Sequence, residues 1–244
     1  MKVELELRVP SSLSDIKLMD YQKYVKMVQE INDTEDESNN ENKENFIALK
    51  TLEILCGLKL KDSYNLPIAV FDSVVKQVFD CLNEDTPLIK RFWFKGSNGH
   101  EVEYGLIPDL HEMSFGEYVD LDTFMSDWKN MHKAMAVLYR PITDKSKDLY
   151  LIEEYESALK YAENMKYMPT NVALGAMVFF YRLGSKLSNH MLQYIKKEME
   201  SNPLSEVEKK FLEQNGVGIN QFTQSLKEMS QSLTKLQNNL SINV

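Results

Sequence analysis

Residues 172–183 (VALGAMVFFYRL) carry apolar side chains on nearly every side of a helical wheel. A helix with no polar face has to be enclosed by other elements, so this segment predicts the centre of a helical core. Its apolar run, Val172 to Tyr181, contains Gly175 and is far shorter than a membrane span. The rest of the chain must supply layers around it, and the pattern upstream does so. Leu18, Tyr21, Tyr24, Val25, Val28 and Ile31 recur at helical spacing. Phe46 to Cys56 reads as a helix stopped at Gly57, and Pro67 opens another with Phe71, Val74, Val75, Val78 and Leu82 on one face.

Strand patterning is confined to two places. Val3, Leu5, Leu7 and Val9 alternate with Glu4, Glu6 and Arg8, which predicts a half-buried strand closed by Pro10. Arg91–Lys95 and Glu101–Ile107 flank a Ser97-Asn98-Gly99 turn and read as a hairpin. Phe92 and Phe94 share one face of it and Trp93 takes the other, while Val102, Tyr104 and Leu106 align on the second strand. The expected fold is therefore α+β, predominantly helical, with a small antiparallel sheet made of the N-terminal strand plus the hairpin near 91–107.

Local signals refine the rest. Ser114-Phe115-Gly116-Glu117 is a capping box, with Met113 and Tyr118 placed as a hydrophobic staple. Phe124, Trp128, Met131, Met135 and Leu138 continue an apolar stripe to a stop near Arg140, imposed by Pro141. Beyond Pro141 the pattern reads as almost entirely helical, over about 151–167 and then from Thr170, placed as an N-cap, to Glu200. Ser205-Glu206-Val207-Glu208 is a second capping box. Residues 32–45 (NDTEDESNNENKEN) hold no hydrophobe and predict a mobile surface loop.

The C-terminal segment differs from all of these. Phe222, Leu226, Met229, Leu233, Leu236 and Leu240 fall at spacings of four, three, four, three and four, an unbroken heptad stripe. Its other face is Gln, Ser, Thr and Asn with little charge, and Gly216 and Gly218 precede it as a hinge. These six side chains are the expected partner-binding residues, whether against another chain or against the protein's own bundle. The chain thus divides into a main domain over 1–215 and a docking helix over 216–244.

No catalytic, cofactor or metal motif is present in the sequence. His100, His111, His132 and His190 lie in separate contexts without ligand spacing. Cys56 and Cys81 sit in apolar helical surroundings and read as buried free thiols. Asp120, Asp122 and Asp127, with Asp109 upstream, read as a solvated helix start rather than a cation site, since residues two apart on a helix point away from each other. The rival from another class is an enzyme whose site the fold assembles from His132, Asp127 and Cys81. A net charge of −9, from 28 basic and 37 acidic side chains, opposes a nucleic-acid surface. The expected partners are proteins, with no nucleic acid, no membrane and no small-molecule substrate.

MSFGEYVDLDTF (113–124), DWKNMHKAMAVLYRPI (127–142), YLIEEY (150–155) and NVALGAMVFFYRLGSKL (171–187) resemble segments of small proteins encoded by tailed bacteriophages near their virion structural genes. The opening residues and the start of the first helix resemble them too, so that the likeness covers roughly 1–190 and leaves out the heptad segment. It carries no catalytic residues. What it implies is a non-enzymatic virion component or assembly factor, such as a tail or baseplate assembly chaperone, in the host cytoplasm or the virion. Thirteen methionines would suit an adaptable contact surface.

Overall fold

The computed structural model describes residues 7–33, 40–97 and 99–183. Helices α1 (Leu18–Asp33), α2 (Asn40–Cys56), α3 (Leu60–Ser63) and α4 (Ile68–Leu82) come first, followed by strands β1 (Arg91–Lys95) and β2 (Glu101–Leu106). Then come α5 (Phe115–Met125), α6 (Met131–Leu138), β3 (Tyr139–Ser146), β4 (Leu149–Ile152) and α7 (Leu159–Met165). A last helix, α8, occupies 170–183 of the described residues. The fold class is α+β, mostly helical, with a small antiparallel sheet.

The core forms around α6 and α8. Val172, Ala173, Ala176 and Met177 are buried, as the all-round apolar pattern requires, and so is every residue of α6 except Lys133. In α1 the helical spacing of Leu18, Tyr21, Val25 and Val28 turns one face inward, and Tyr24 joins it. Orphan backbone donors at the start of α1 find distant partners. The Leu18 and Met19 amides donate to the Met168 and Lys166 carbonyls at 2.9 Å each. Gly57, at φ 69°, ends α2 as expected.

The sheet runs β1-β2-β3-β4, each pair antiparallel. The expected hairpin is present, with Phe92 opposite Tyr104 and Phe94 opposite Val102. Phe92, Phe94, Tyr104 and Tyr139 form a packed aromatic face, with Phe92 edge-on to Tyr139 at 5.3 Å between ring centroids.

Several expectations are corrected. The described strand beside the hairpin is β3, and of the expected N-terminal strand the described part, Leu7–Val9, carries no strand: Leu7 and Val9 pack against the core. Val3 and Leu5 lie outside the described residues. The place beside the hairpin is taken by Tyr139–Ser146, whose Tyr139 pairs with Leu106 and buries fully. The stretch after Pro141 is not almost all helix, because the chain enters β3 directly from α6 and returns through β4. Lys147, at φ 56°, makes the tight turn between them. Pro141 tolerates a strand because it occupies the last rung of the β2–β3 ladder.

The single helix expected up to Arg140 is two helices. The Asp127 carboxylate accepts from the Lys129 amide at 2.9 Å and starts a 3₁₀ turn between them. Of the loop expected over 32–45, both ends are helical, since α1 reaches Asp33 and α2 begins at Asn40, and 34–39 lie outside the described residues. The polar start of α2 continues a helix whose next turns are anchored by the buried Ile47, Ala48 and Leu52. Thr170 is not a side-chain cap, because its hydroxyl donates to the Ile16 carbonyl at 2.9 Å. The expected helix after Ser205 and the heptad residues Phe222, Leu226, Met229, Leu233, Leu236 and Leu240 lie outside the described residues.

Candidate interaction surface

The capping box at the start of α5 exists as read from the sequence, and its glutamate has a second task. Glu117 Oε2 accepts from the Ser114 amide at 2.7 Å, and Ser114 Oγ accepts from the Glu117 amide at 3.3 Å. The other oxygen of Glu117 receives the Arg140 guanidinium at 2.7 Å, and both side chains are buried. Arg140 in turn stacks over the Tyr155 ring at 5.5 Å, and the Tyr155 hydroxyl donates to the Asp120 carboxylate. A chain of charge-assisted contacts therefore ties α5 to β3 and to the segment after β4.

Those ties fix which side of α5 faces out. Glu117, Leu121 and Met125 are buried. Phe115, Tyr118 and Val119, at the i, i+3, i+4 spacing of one helix face, are 82%, 51% and 41% exposed. Two aromatic side chains and a valine are thus held outward in a row on a helix anchored by a buried ion pair.

The residues of the rival enzyme site are not brought together. Both oxygens of Asp127 are engaged in its own turn, by Lys129 and Asn130. Cys81 lines a cavity of about 360 Å³ with Lys76, Asp80 and Glu84, and burial and the acid groups around it push its thiol up to about 12. Cys56 is likewise buried and raised to about 11. Protonated thiols of this kind are weak nucleophiles. The Asp109, Asp120, Asp122 and Asp127 set does not converge, and among the described residues no group of three or more His, Cys, Asp or Glu side chains is placed to hold a metal ion. No helix among them is long and apolar enough to cross a membrane.

His132 is buried beside α1, where the Gln22 amide donates to its Nδ1 at 3.2 Å and to the Trp128 carbonyl at 2.6 Å. Burial first, and the charges of Lys166 and Lys133 after it, hold its pKa below the ordinary 6.5. The folded state thus resists protonation more than the unfolded chain does. The neutral ring contributes stability that is complete above the ordinary imidazole value and is lost as pH falls through it. Denaturant unfolding from pH 7.5 to 5 should show a decline that His132→Gln flattens; an unchanged slope would contradict the assignment.

Sequence reasoning reaches Ser114, Glu117 and Tyr118 but assigns them to capping alone. The signal for more is the run of Phe115, Tyr118 and Val119 opposite Leu121 and Met125, which is amphipathic in both directions. Nothing local in the sequence pairs Glu117 with Arg140, 23 residues away. Of the hairpin aromatics, only Trp93 points outward, and Lys145 covers it at 5.6 Å while bonding Glu103 at 2.7 Å. No family model matches the chain, and neither a curated protein nor a solved structure matches it significantly.

Proposed function

We propose that the protein is a non-enzymatic interaction factor in tailed-phage particle assembly, acting as a tail or baseplate assembly chaperone in the host cytoplasm. The observation that carries this reading is the outward row Phe115, Tyr118 and Val119 on a helix clamped from behind. A chaperone for assembly proteins needs rigid, accessible apolar surface for a client, and exposed aromatics contribute most to such contacts. The resemblance of 113–124 and 127–142 to phage-encoded proteins supplies the setting, and it covers this helix and its Arg140 anchor. The heptad residues Phe222 to Leu240 would add a second contact.

The reading is tested by complementation of a phage lacking the gene. Phe115→Asp with Tyr118→Asp should lower the yield of infectious particles at least tenfold and leave the melting temperature within about 2 °C, because both side chains already face solvent. Full complementation by this variant would refute the reading. Mass spectrometry of purified particles separates the chaperone, present far below stoichiometry, from a permanent virion subunit.

A further inference from the structure

The segment around α5 carries an unbalanced charge. Asp109, Glu112, Glu117, Asp120, Asp122 and Asp127 fall within 108–127, a stretch without a single Lys or Arg. On the inner side the balance is restored, because Arg140 meets Glu117 and the Tyr155 hydroxyl meets Asp120. On the outer side it is not. Glu112 and Asp122 are exposed, and neither has an ion-pair partner among the described residues. Glu112 ends the 3₁₀ turn just before α5, and Asp122 follows Tyr118 by four residues and Val119 by three, on the same helix face. The apolar row Phe115, Tyr118 and Val119 is thus bracketed by acid at both ends.

That rim discriminates between occupants. It repels an anionic membrane surface and a nucleic acid alike. The same face of a second copy would set acid against acid in either direction. A polypeptide whose apolar side chains lie between basic ones is attracted on both counts. The backbone then selects the occupant's conformation. α5 offers side chains only, since its N–H and C=O groups are spent inside the helix. An extended segment laid across it would leave its own backbone groups unpaired on the covered side, whereas a helix brings its own hydrogen bonds.

Gly116 is a second, independent sign. It lies exposed in the first turn of α5, its φ is not positive, and nothing stands within 4 Å of where its Cβ would be. The fold therefore has no need of a glycine there, and glycine weakens a helix relative to alanine. Gly116 precedes Val119 by three residues, on the flank of the apolar row, and leaves a notch beside it. Interhelical distance is set by the side chains at the contact, so a notch lets a second helix lie closer.

We propose that the outer face of α5 docks a basic amphipathic helix of another protein. Its apolar side chains pack on Phe115, Tyr118 and Val119, and its Lys or Arg residues at either end meet Glu112 and Asp122. Phe115 to Asp122 spans about 10 Å along the axis, so two turns of the partner cover the row. The inference rests on the contact role proposed for α5 above and names the class of client.

Fluorescence anisotropy of the full chain against two labelled peptides of about 15 residues tests the docking. Both peptides carry leucines along one helical face; the rest of one is Lys and of the other Glu. Wild type should bind the Lys peptide at least about tenfold more tightly. Phe115→Ala with Tyr118→Ala leaves every charge in place and should weaken that binding at least about tenfold, since two anchoring aromatics are lost. Glu112→Lys with Asp122→Lys should shift the preference toward the Glu peptide by about tenfold. All four side chains face solvent, so neither variant should change its melting temperature. Lys-peptide binding that survives the alanine substitutions would be a diffuse attraction between a cation and an acidic chain, and would overturn the proposal. So would equal binding of the two peptides, a preference that the lysine substitutions leave unmoved, or no binding of either peptide. A complementation defect without peptide binding rejects the basic helix and keeps the contact face, whereas peptide binding without a complementation defect rejects the assembly role alone.

Discussion

Glu117→Ala is expected to destabilise the protein by about 3–5 kcal/mol, because it removes one member of a buried ion pair and leaves the other charge uncompensated. For a chain of this size that is a fall in melting temperature on the order of 10 °C. Arg140 has nowhere to turn: its Nε already lacks a hydrogen-bond partner among the described residues, and its plane is held against Tyr155. The same substitution strips the reciprocal capping bond from the Ser114 amide, worth about 1 kcal/mol more. Adding Arg140→Met to Glu117→Leu should restore most of the stability, since an apolar pair of similar volume avoids both desolvation costs. Thermal and denaturant unfolding of the three proteins measures this directly. A single variant within about 1 kcal/mol of wild type would show that solvent reaches the pair and that the clamp behind α5 is loose.

How far the sequence discloses this arrangement depends on the range of the forces involved. Capping at Ser114, the stop at Gly57 and the Phe92/Tyr104 hairpin are decided within a few residues, and each is legible. The all-round apolar pattern of 172–183 correctly places a helix in the core, because burial on every side leaves no alternative. The β3–β4 hairpin escapes such reading for an equally physical reason. Leu149 to Ile152 is too short and too apolar to separate strand from helix by periodicity, and the turn at Lys147 uses a residue that seldom adopts positive φ. The alternation that ends at Leu7 and Val9 does not make a strand of those two residues, because a pattern does not choose its neighbour. Tyr139 wins the place beside Leu106 by burying a whole aromatic ring and donating its hydroxyl to the Ile89 carbonyl at 2.8 Å. Of the contact surface, the helix and its cap can be read, whereas its outward direction follows from Arg140 and cannot.

Gly175→Ala, in α8, should destabilise by about 2 kcal/mol although alanine is the better helix former. A Cβ at this position would run into the Pro87 carbonyl oxygen and lie 2.9 Å from the carbonyl carbon, closer than any real contact. Both obstacles are backbone, so no rotamer change relieves them. The segment carrying Pro87 cannot lift away freely either, because its far end is pinned where the Lys90 carbonyl accepts the Leu106 amide at 2.8 Å and Ile89 accepts Tyr139. Overpacking of this kind costs about 1–3 kcal/mol or more, against a gain of about 1 kcal/mol from replacing glycine in a helix. Gly116 in α5 offers the opposite case, since nothing lies within 4 Å of its Cβ position. There the same substitution keeps only the propensity gain and should stabilise by up to about 1 kcal/mol. Denaturant midpoints of the two alanine variants should therefore move in opposite directions from wild type. Midpoints that rise together would mean that the 83–90 segment does not cross α8 at Gly175, and the enclosure of α8 in the core would have to be redrawn.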